Sequence, residues 1–210
     1  GGPLAKSINH GGGFFRTDPA LDRPNMQLYM QAFSTLLPKA GERPLLTPDP
    51  FSGLSIGLSN CRPTSRGHVK LKSTDPLQAP RILFNYMGTE QDRREMRAGI
   101  RLTREIFAQH AFDEFRGEEL SPGPQVQTNA EIDEHIRNSA ETAYHPSGTC
   151  RMGTDAMAVT DPQGRVHGVR GLRVVDASVM PGMVSGNTQC AVMMVAERGA
   201  DLILHDAKRA

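Results

Sequence analysis

One histidine and one asparagine are the residues of this chain best suited to proton chemistry. His145 stands between Tyr144 and Pro146, with Ser147 and Gly148 following. Proline restricts the residue before it and glycine permits unusual dihedrals, so this turn can hold an imidazole in one pose. An imidazole held in that way accepts a proton near neutral pH. Asn187, in Ser185-Gly186-Asn187-Thr188, stands just ahead of an apolar-periodic run. Its amide can cap a helix or donate to a developing negative charge. The start of that helix also offers backbone N–H groups and partial positive charge to an anionic ligand group. Weighed singly, each residue is more often structural: a histidine bonded to a carbonyl, an asparagine cap. Cys150 follows His145 closely and could be a thiol nucleophile, although a structural cysteine is the plainer reading. The spacing of His145, Cys150, His167 and Cys190 matches no common zinc pattern, so no metal is expected.

The elements that must position these residues can be read from periodicity. Met26 to Phe33 alternates, with Met26, Leu28, Met30 and Ala32 on one face, as a half-buried strand does. Ser52 to Asn60 alternates again. A turn at Arg62-Pro63-Thr64-Ser65-Arg66-Gly67 leads to an extended run at 67–73 with Val69 and Leu71 inward, so 52–60 and 67–73 read as an antiparallel hairpin. Gly11-Gly12-Gly13 reads as a flexible turn leading into Phe14-Phe15, and the proline-rich 37–51 as a loop. Helices are expected over about 89–109, capped by Thr89, and about 130–140, capped by Thr128 or Asn129, with Ile132 and Ile136 inward. Arg93, Arg94 and Arg97 read as a solvated face of the first. Leu172 to Val175 reads as a buried strand. A last helix is expected over about 189–205, with Met193 and Met194 in its core.

Composition narrows the class. The 210 residues are 38% hydrophobic and 22% charged, with a formal net charge of +1, which suits a globular protein and gives no reason to expect nucleic acid. No run approaches the length of a transmembrane segment, and the N-terminal residues lack a signal-peptide pattern. Three cysteines without a Cys-x-x-Cys lean toward a reducing compartment, so a cytoplasmic location is expected, peripheral to a membrane at most. There is no Gly-x-Gly-x-x-Gly, no phosphate loop, no His-Glu-x-x-His and no Gly-x-Ser-x-Gly.

In order along the chain, the segments say more than they do singly. Tyr144-His145-Pro-Ser-Gly-Thr-Cys-Arg-Met-Gly153, Val169-Arg-Gly-Leu-Arg-Val-Val-Asp-Ala-Ser-Val-Met-Pro181, Ser185-Gly-Asn-Thr188 and Ala196-Glu-Arg-Gly-Ala-Asp-Leu-Ile203 resemble the C-terminal region of the glucose–methanol–choline oxidoreductases. The choline dehydrogenase-like branch is the nearest in look. Cys61-Arg-Pro-Thr-Ser-Arg-Gly-His-Val-Lys-Leu-Lys-Ser73 and Asn9-His10 with Gly12-Gly13-Phe14 resemble the same family upstream.

This resemblance implies an FAD-dependent oxidation of a primary alcohol to an aldehyde. His145 matches the residue that handles the hydroxyl proton while hydride passes to flavin N5. Asn187 matches the second polar residue facing the substrate oxygen. Asp176 and Ala177 match a stretch touching the ribityl–pyrophosphate part of the cofactor, and Asn187, Thr188 and Gln189 match residues beside the flavin ring. The implied fold is α+β: a mostly antiparallel sheet with helices on one face, plus a C-terminal strand and helix belonging to an FAD-binding Rossmann-like domain. Residues 1–153 would form most of a substrate-binding domain and 154–210 would return to the FAD-binding domain. The N-terminal FAD-binding half is absent from this chain, so FAD would be held mainly by residues not present and the fragment alone would be inactive. An exposed apolar surface and a dimer formed through it are expected. Gln189-Cys190-Ala191 departs from the branch's Asn-Ala-Pro, which leaves the alcohol open between choline and others. Aromatic residues are only 5% with no Trp, little material for a quaternary-ammonium cage. A catalytically silent domain of the same fold, or a thiol hydrolase built on Cys150 and His145, are the competing readings.

Overall fold

The alternation of Met26, Leu28 and Met30 becomes the middle strand of a three-stranded sheet. In the computed structural model, which describes residues 7–35 and 48–208, β1 (Gly11–Phe15), β2 (Met26–Gln31) and β3 (Ser55–Asn60) lie in that order, all antiparallel. Tyr29 of β2 is opposite Gly12 on one side and Gly57 on the other. A side chain at Gly12 would meet the Leu28 carbonyl oxygen at 2.9 Å, so the strands' close approach there needs glycine. The triple glycine is thus strand, not a turn before one. It carries no alternation because glycine has no side chain to alternate. The N-terminal residues 1–6 and most of the proline-rich 37–51 stretch lie outside the described residues.

Two expectations from the sequence are corrected here. β3 does not form a hairpin with the run that follows it. Its partner is β2, and β4 (His68–Lys70) pairs instead with β5 (Arg81–Leu83) in a separate two-stranded sheet. Periodicity identifies strands but not their partners. Gly67 sits so close to the Leu83 carbonyl that an added Cβ would lie 1.9 Å from that oxygen, and Asn85 Nδ2 donates to Arg66 O at 3.0 Å. Val69 and Leu71, expected to point inward, are 48% and 86% exposed.

The chain divides into two compact units, one of Gly1–Asn60 with Met87–Ala143, the other of Cys61–Tyr86 with Tyr144–Ala210. In the first, α1 (Glu90–Phe107) starts at Thr89, whose hydroxyl accepts from Asp92 N at 3.4 Å. Gly99 brings α1 close to Met26 and Leu58 of the sheet. Arg97 is not on a solvated face. It is 8% exposed and paired with Glu90 and, at 2.7 Å, with Asp133. Burial alone would lower the pKa of this guanidinium, but the bonds to Glu90 and Asp133 outweigh it and raise the value. Asp133 belongs to α2 (Asn129–Ser139), which opens on a reciprocal box: Glu131 N donates to Thr128 Oγ1 and Thr128 N to a Glu131 carboxylate oxygen. Ile132 and Ile136 are buried, as their spacing predicts.

In the second unit, Leu172 to Val175 is not a buried strand. It is an extended segment joined by one bridge, Arg165 to Arg173, and by Val174 N donating to Gly164 O at 2.9 Å. Gly171, at φ +77°, turns the chain immediately before it, and Leu172 is 49% exposed. The segment feeds a 3-10 turn, Ala177–Val179, and then α3 (Gln189–Ala207). An added Cβ at Gly199 of α3 would lie 2.3 Å from Val175 Cγ1, so helix and segment are tightly apposed. Met193 and Met194 are 58% and 61% exposed and do not form a core.

Candidate active site

The loop carrying His145 is fastened to the turn that precedes α3. Gly148 N donates to Ala177 O, Cys150 N to Ser178 O at 2.9 Å and Met152 N to Val179 O at 2.8 Å. Behind this ladder, Val179, Met180 and Thr160 are buried, and Thr160 Oγ1 donates to Cys150 O. The backbone on either side of His145 is bent into the left-handed region, Tyr144 at φ +59° and Gly148 at φ +84°. For tyrosine that conformation is strained, and it persists because the surrounding bonds fix it.

The ladder brings the predicted pair together. Asn187 Nδ2 lies 2.9 Å from His145 Nε2, and Thr188 Oγ1 lies 2.9 Å from His145 Nδ1. The imidazole is half-buried, Asn187 is exposed and Thr188 is buried. Neither residue caps α3 through its side chain in the ordinary way: Thr188 occupies the N-cap position without a cap bond. Arg62, in the stretch singled out upstream, donates to Ser185 Oγ at 2.6 Å and so steadies the loop that delivers Asn187. Sequence reasoning did not single out Arg62 for this role, nor Thr188 for its contact with the ring. A polar residue adjoining Asn187 was the available signal for the second, and nothing signalled the first.

The other expected residues fall on the same framework. Asp176 is exposed, and its carboxylate accepts from Ser178 N at 2.7 Å and from the Ser178 hydroxyl. Ala177 begins the 3-10 turn, and Gln189 begins α3 at an exposed position. Both ring nitrogens of His145 face Asn187 and Thr188, and Cys150 is held through its backbone, Cys150 N donating to Ser178 O. No group of three or more metal-ligating side chains exists among the described residues. A cavity of about 770 Å³ elsewhere in this unit is lined by Asp161, Arg165, Arg173 and Asp206 among others. Among these, Asp206 is bonded to Arg165 at 2.8 Å and to Arg173.

A half-buried imidazole in contact with an exposed amide is a pair whose chemistry suits a bound hydroxyl. The GMC oxidoreductase family pattern matches residues 63–196. The chain is 53% identical over 192 residues to an oxygen-dependent choline dehydrogenase from Pseudomonas aeruginosa (strain LESB58), covering 91% of this chain and 33% of that protein. It is 50% identical over 192 residues to one from Acinetobacter baumannii (strain AYE), covering 91% of this chain and 34% of the relative. It therefore spans about a third of the length of the curated relatives it matches. Among solved structures, pyridoxine 4-oxidase from Mesorbium loti superposes with a TM-score of 0.82 at 30% identity, over 94% of this chain and 38% of that one. A formate oxidase from Aspergillus oryzae RIB40, a structure concerned with FAD modification, superposes with a TM-score of 0.75 at 30% identity, over 90% of this chain and 33% of its own. With its family pattern, its relatives and the ordered motifs around His145 and Asn187 in accord, the chain belongs to the GMC oxidoreductases.

Proposed function

We propose that this chain is the C-terminal part of an FAD-dependent enzyme that oxidises a primary alcohol, choline-like or other, to an aldehyde. The observation that carries this reading is the contact of His145 Nε2 with Asn187 Nδ2 at 2.9 Å. A substrate hydroxyl that displaces this contact, its oxygen within hydrogen-bond reach of both side chains, can give its proton to Nε2 while the oxygen accepts from Nδ2. As the proton leaves, the oxygen gains negative charge. A donor aimed at such charge is worth roughly 2.7–4 kcal/mol of barrier. His145 thus acts as general base and Asn187 as the oxyanion-facing donor.

The residues present fit a flavin. α3 starts at Gln189 with no cap bond from the Thr188 side chain, so its first-turn N–H groups and the positive end of its dipole suit an electron-rich ring edge. Asn187, Thr188 and Gln189 would lie by the ring, and Asp176 and Ala177 by the ribityl–pyrophosphate portion. When bound, the flavin supplies the hydride acceptor. Residues 1–153 would serve mainly the substrate and 154–210 the cofactor. The relatives named for choline, at 53% and 50% identity, favour a choline-like alcohol, whereas the shortage of aromatic residues in this chain favours others.

The test is anaerobic flavin reduction in the full-length protein with a panel of alcohols that includes choline. Alcohol-driven bleaching is expected in the wild type, with His145→Ala slower by about 10²–10⁴-fold. A wild type that no alcohol bleaches would support the second reading, a silent domain that keeps the fold.

A further inference from the structure

Thr188 stands where a threonine ordinarily caps a helix, yet its hydroxyl serves the imidazole. It is 8% exposed, makes no cap bond to α3, and lies 2.9 Å from His145 Nδ1. On the other side of the ring, Asn187 presents Nδ2 to Nε2. A carboxamide nitrogen only donates, so Nε2 must offer a lone pair. A neutral imidazole with a lone pair on Nε2 carries its proton on Nδ1, and that N–H donates to Thr188 Oγ1. The opposite tautomer would need the Asn187 amide turned over, with Oδ1 facing Nε2–H.

We propose that Thr188 is a positioning residue that holds His145 in the Nδ1–H tautomer and so keeps Nε2 as the base. The inference rests on the reading of His145 as the proton acceptor. When Nε2 takes the hydroxyl proton, the ring becomes an imidazolium with both nitrogens protonated. Nδ1–H goes on donating to the same oxygen, so Thr188 supports the ring before and after the transfer without moving. Because Asn187 and Thr188 are consecutive residues, one turn of backbone sets both sides of the ring. The buried position of Thr188 keeps water from replacing it freely as the Nδ1 partner.

The test compares Thr188→Val, which keeps the shape and removes the acceptor, with Thr188→Ser, which restores the hydroxyl. Both are made in the full-length flavoprotein with ¹⁵N-labelled histidine. Long-range ¹H–¹⁵N spectra report the His145 tautomer independently of activity. In Thr188→Val, the Nδ1–H form is expected to give way to a mixture. Flavin reduction should fall about 10- to 100-fold, the range for losing a partner that orients an imidazole, with KM little changed. Thr188→Ser should keep the wild-type tautomer and most of the rate. The proposal is overturned if Thr188→Val keeps the Nδ1–H form, or if Thr188→Ser loses it. Should Thr188→Val fail to fold, the serine variant alone still decides in that way. Wild-type reduction rates in His145→Ala would sink the general-base reading instead, while the tautomer spectra would still decide what Thr188 does.

Discussion

His145 and Asn187 are forty-two positions apart, yet they meet at 2.9 Å because the residues between them fold back as one tied loop. The ladder from Gly148, Cys150 and Met152 to Ala177, Ser178 and Val179 fixes the distance, and the left-handed backbone at Tyr144 and Gly148 fixes the aim. This precision predicts the effect of losing the amide. In Asn187→Ala the base remains but the developing alkoxide loses its donor, so flavin reduction should fall about 10²–10³-fold. KM should change little, because the lost interaction is made mainly in the transition state. Anaerobic stopped-flow traces across an alcohol concentration series measure both, and a rise in KM at unchanged rate would show that Asn187 only binds substrate. The sequence singled out both residues as a candidate pair, since their motifs stand in family order, and the structure brings them into contact. The bond from Thr188 to Nδ1 was not, because sequence order places a hydroxyl near a loop without saying which ring nitrogen it meets.

At the scale of elements, tight packing outweighs helix propensity on α3. Alanine is a better helix former than glycine by about 1 kcal/mol. At Gly199, however, the new methyl would lie 2.3 Å from Val175 Cγ1, and a β-branched valine has little rotamer freedom with which to yield. Gly199→Ala should therefore destabilise the protein by about 1–3 kcal/mol, seen as a lower denaturation midpoint. A midpoint at or above the wild-type value would mean that α3 and the Val175 segment separate freely. The helices were read well from sequence: the apolar spacing of Ile132 and Ile136, the Thr128–Glu131 box and the run after Thr188 each left a local signature. Pairing and environment did not. The alternation at 52–60 found β3 but could not choose β2 over β4 as its partner. The charge of Arg97 suggested solvent, but Glu90 at the start of its own helix and Asp133 on α2 compensate its burial. The Leu172–Val175 run was apolar enough for a buried strand, yet it makes a single bridge and leaves Leu172 exposed.

At the scale of the whole molecule, two features bear on what the chain can do alone. It spans about a third of its relatives' length, and it has no Gly-x-Gly-x-x-Gly to bind a pyrophosphate. It also leaves Met193, Met194, Ile203 and Leu204 of α3 exposed, with Leu71 and Leu77 on the segment around β4 and β5. On the proposed reading, this chain brings His145, Asn187, the start of α3 and the Asp176–Ala177 stretch to a flavin site, and the dinucleotide is held mainly by the rest of a longer protein. Expressed by itself, the 22.9 kDa chain is expected to purify colourless and to elute ahead of a monomer of that mass as its apolar surface self-associates. The absorption spectrum and light scattering across the size-exclusion peak read both properties at once. A yellow monomer carrying one flavin per chain would show that these 210 residues hold the cofactor unaided, and the proposed division of labour with the rest of a longer protein would fail.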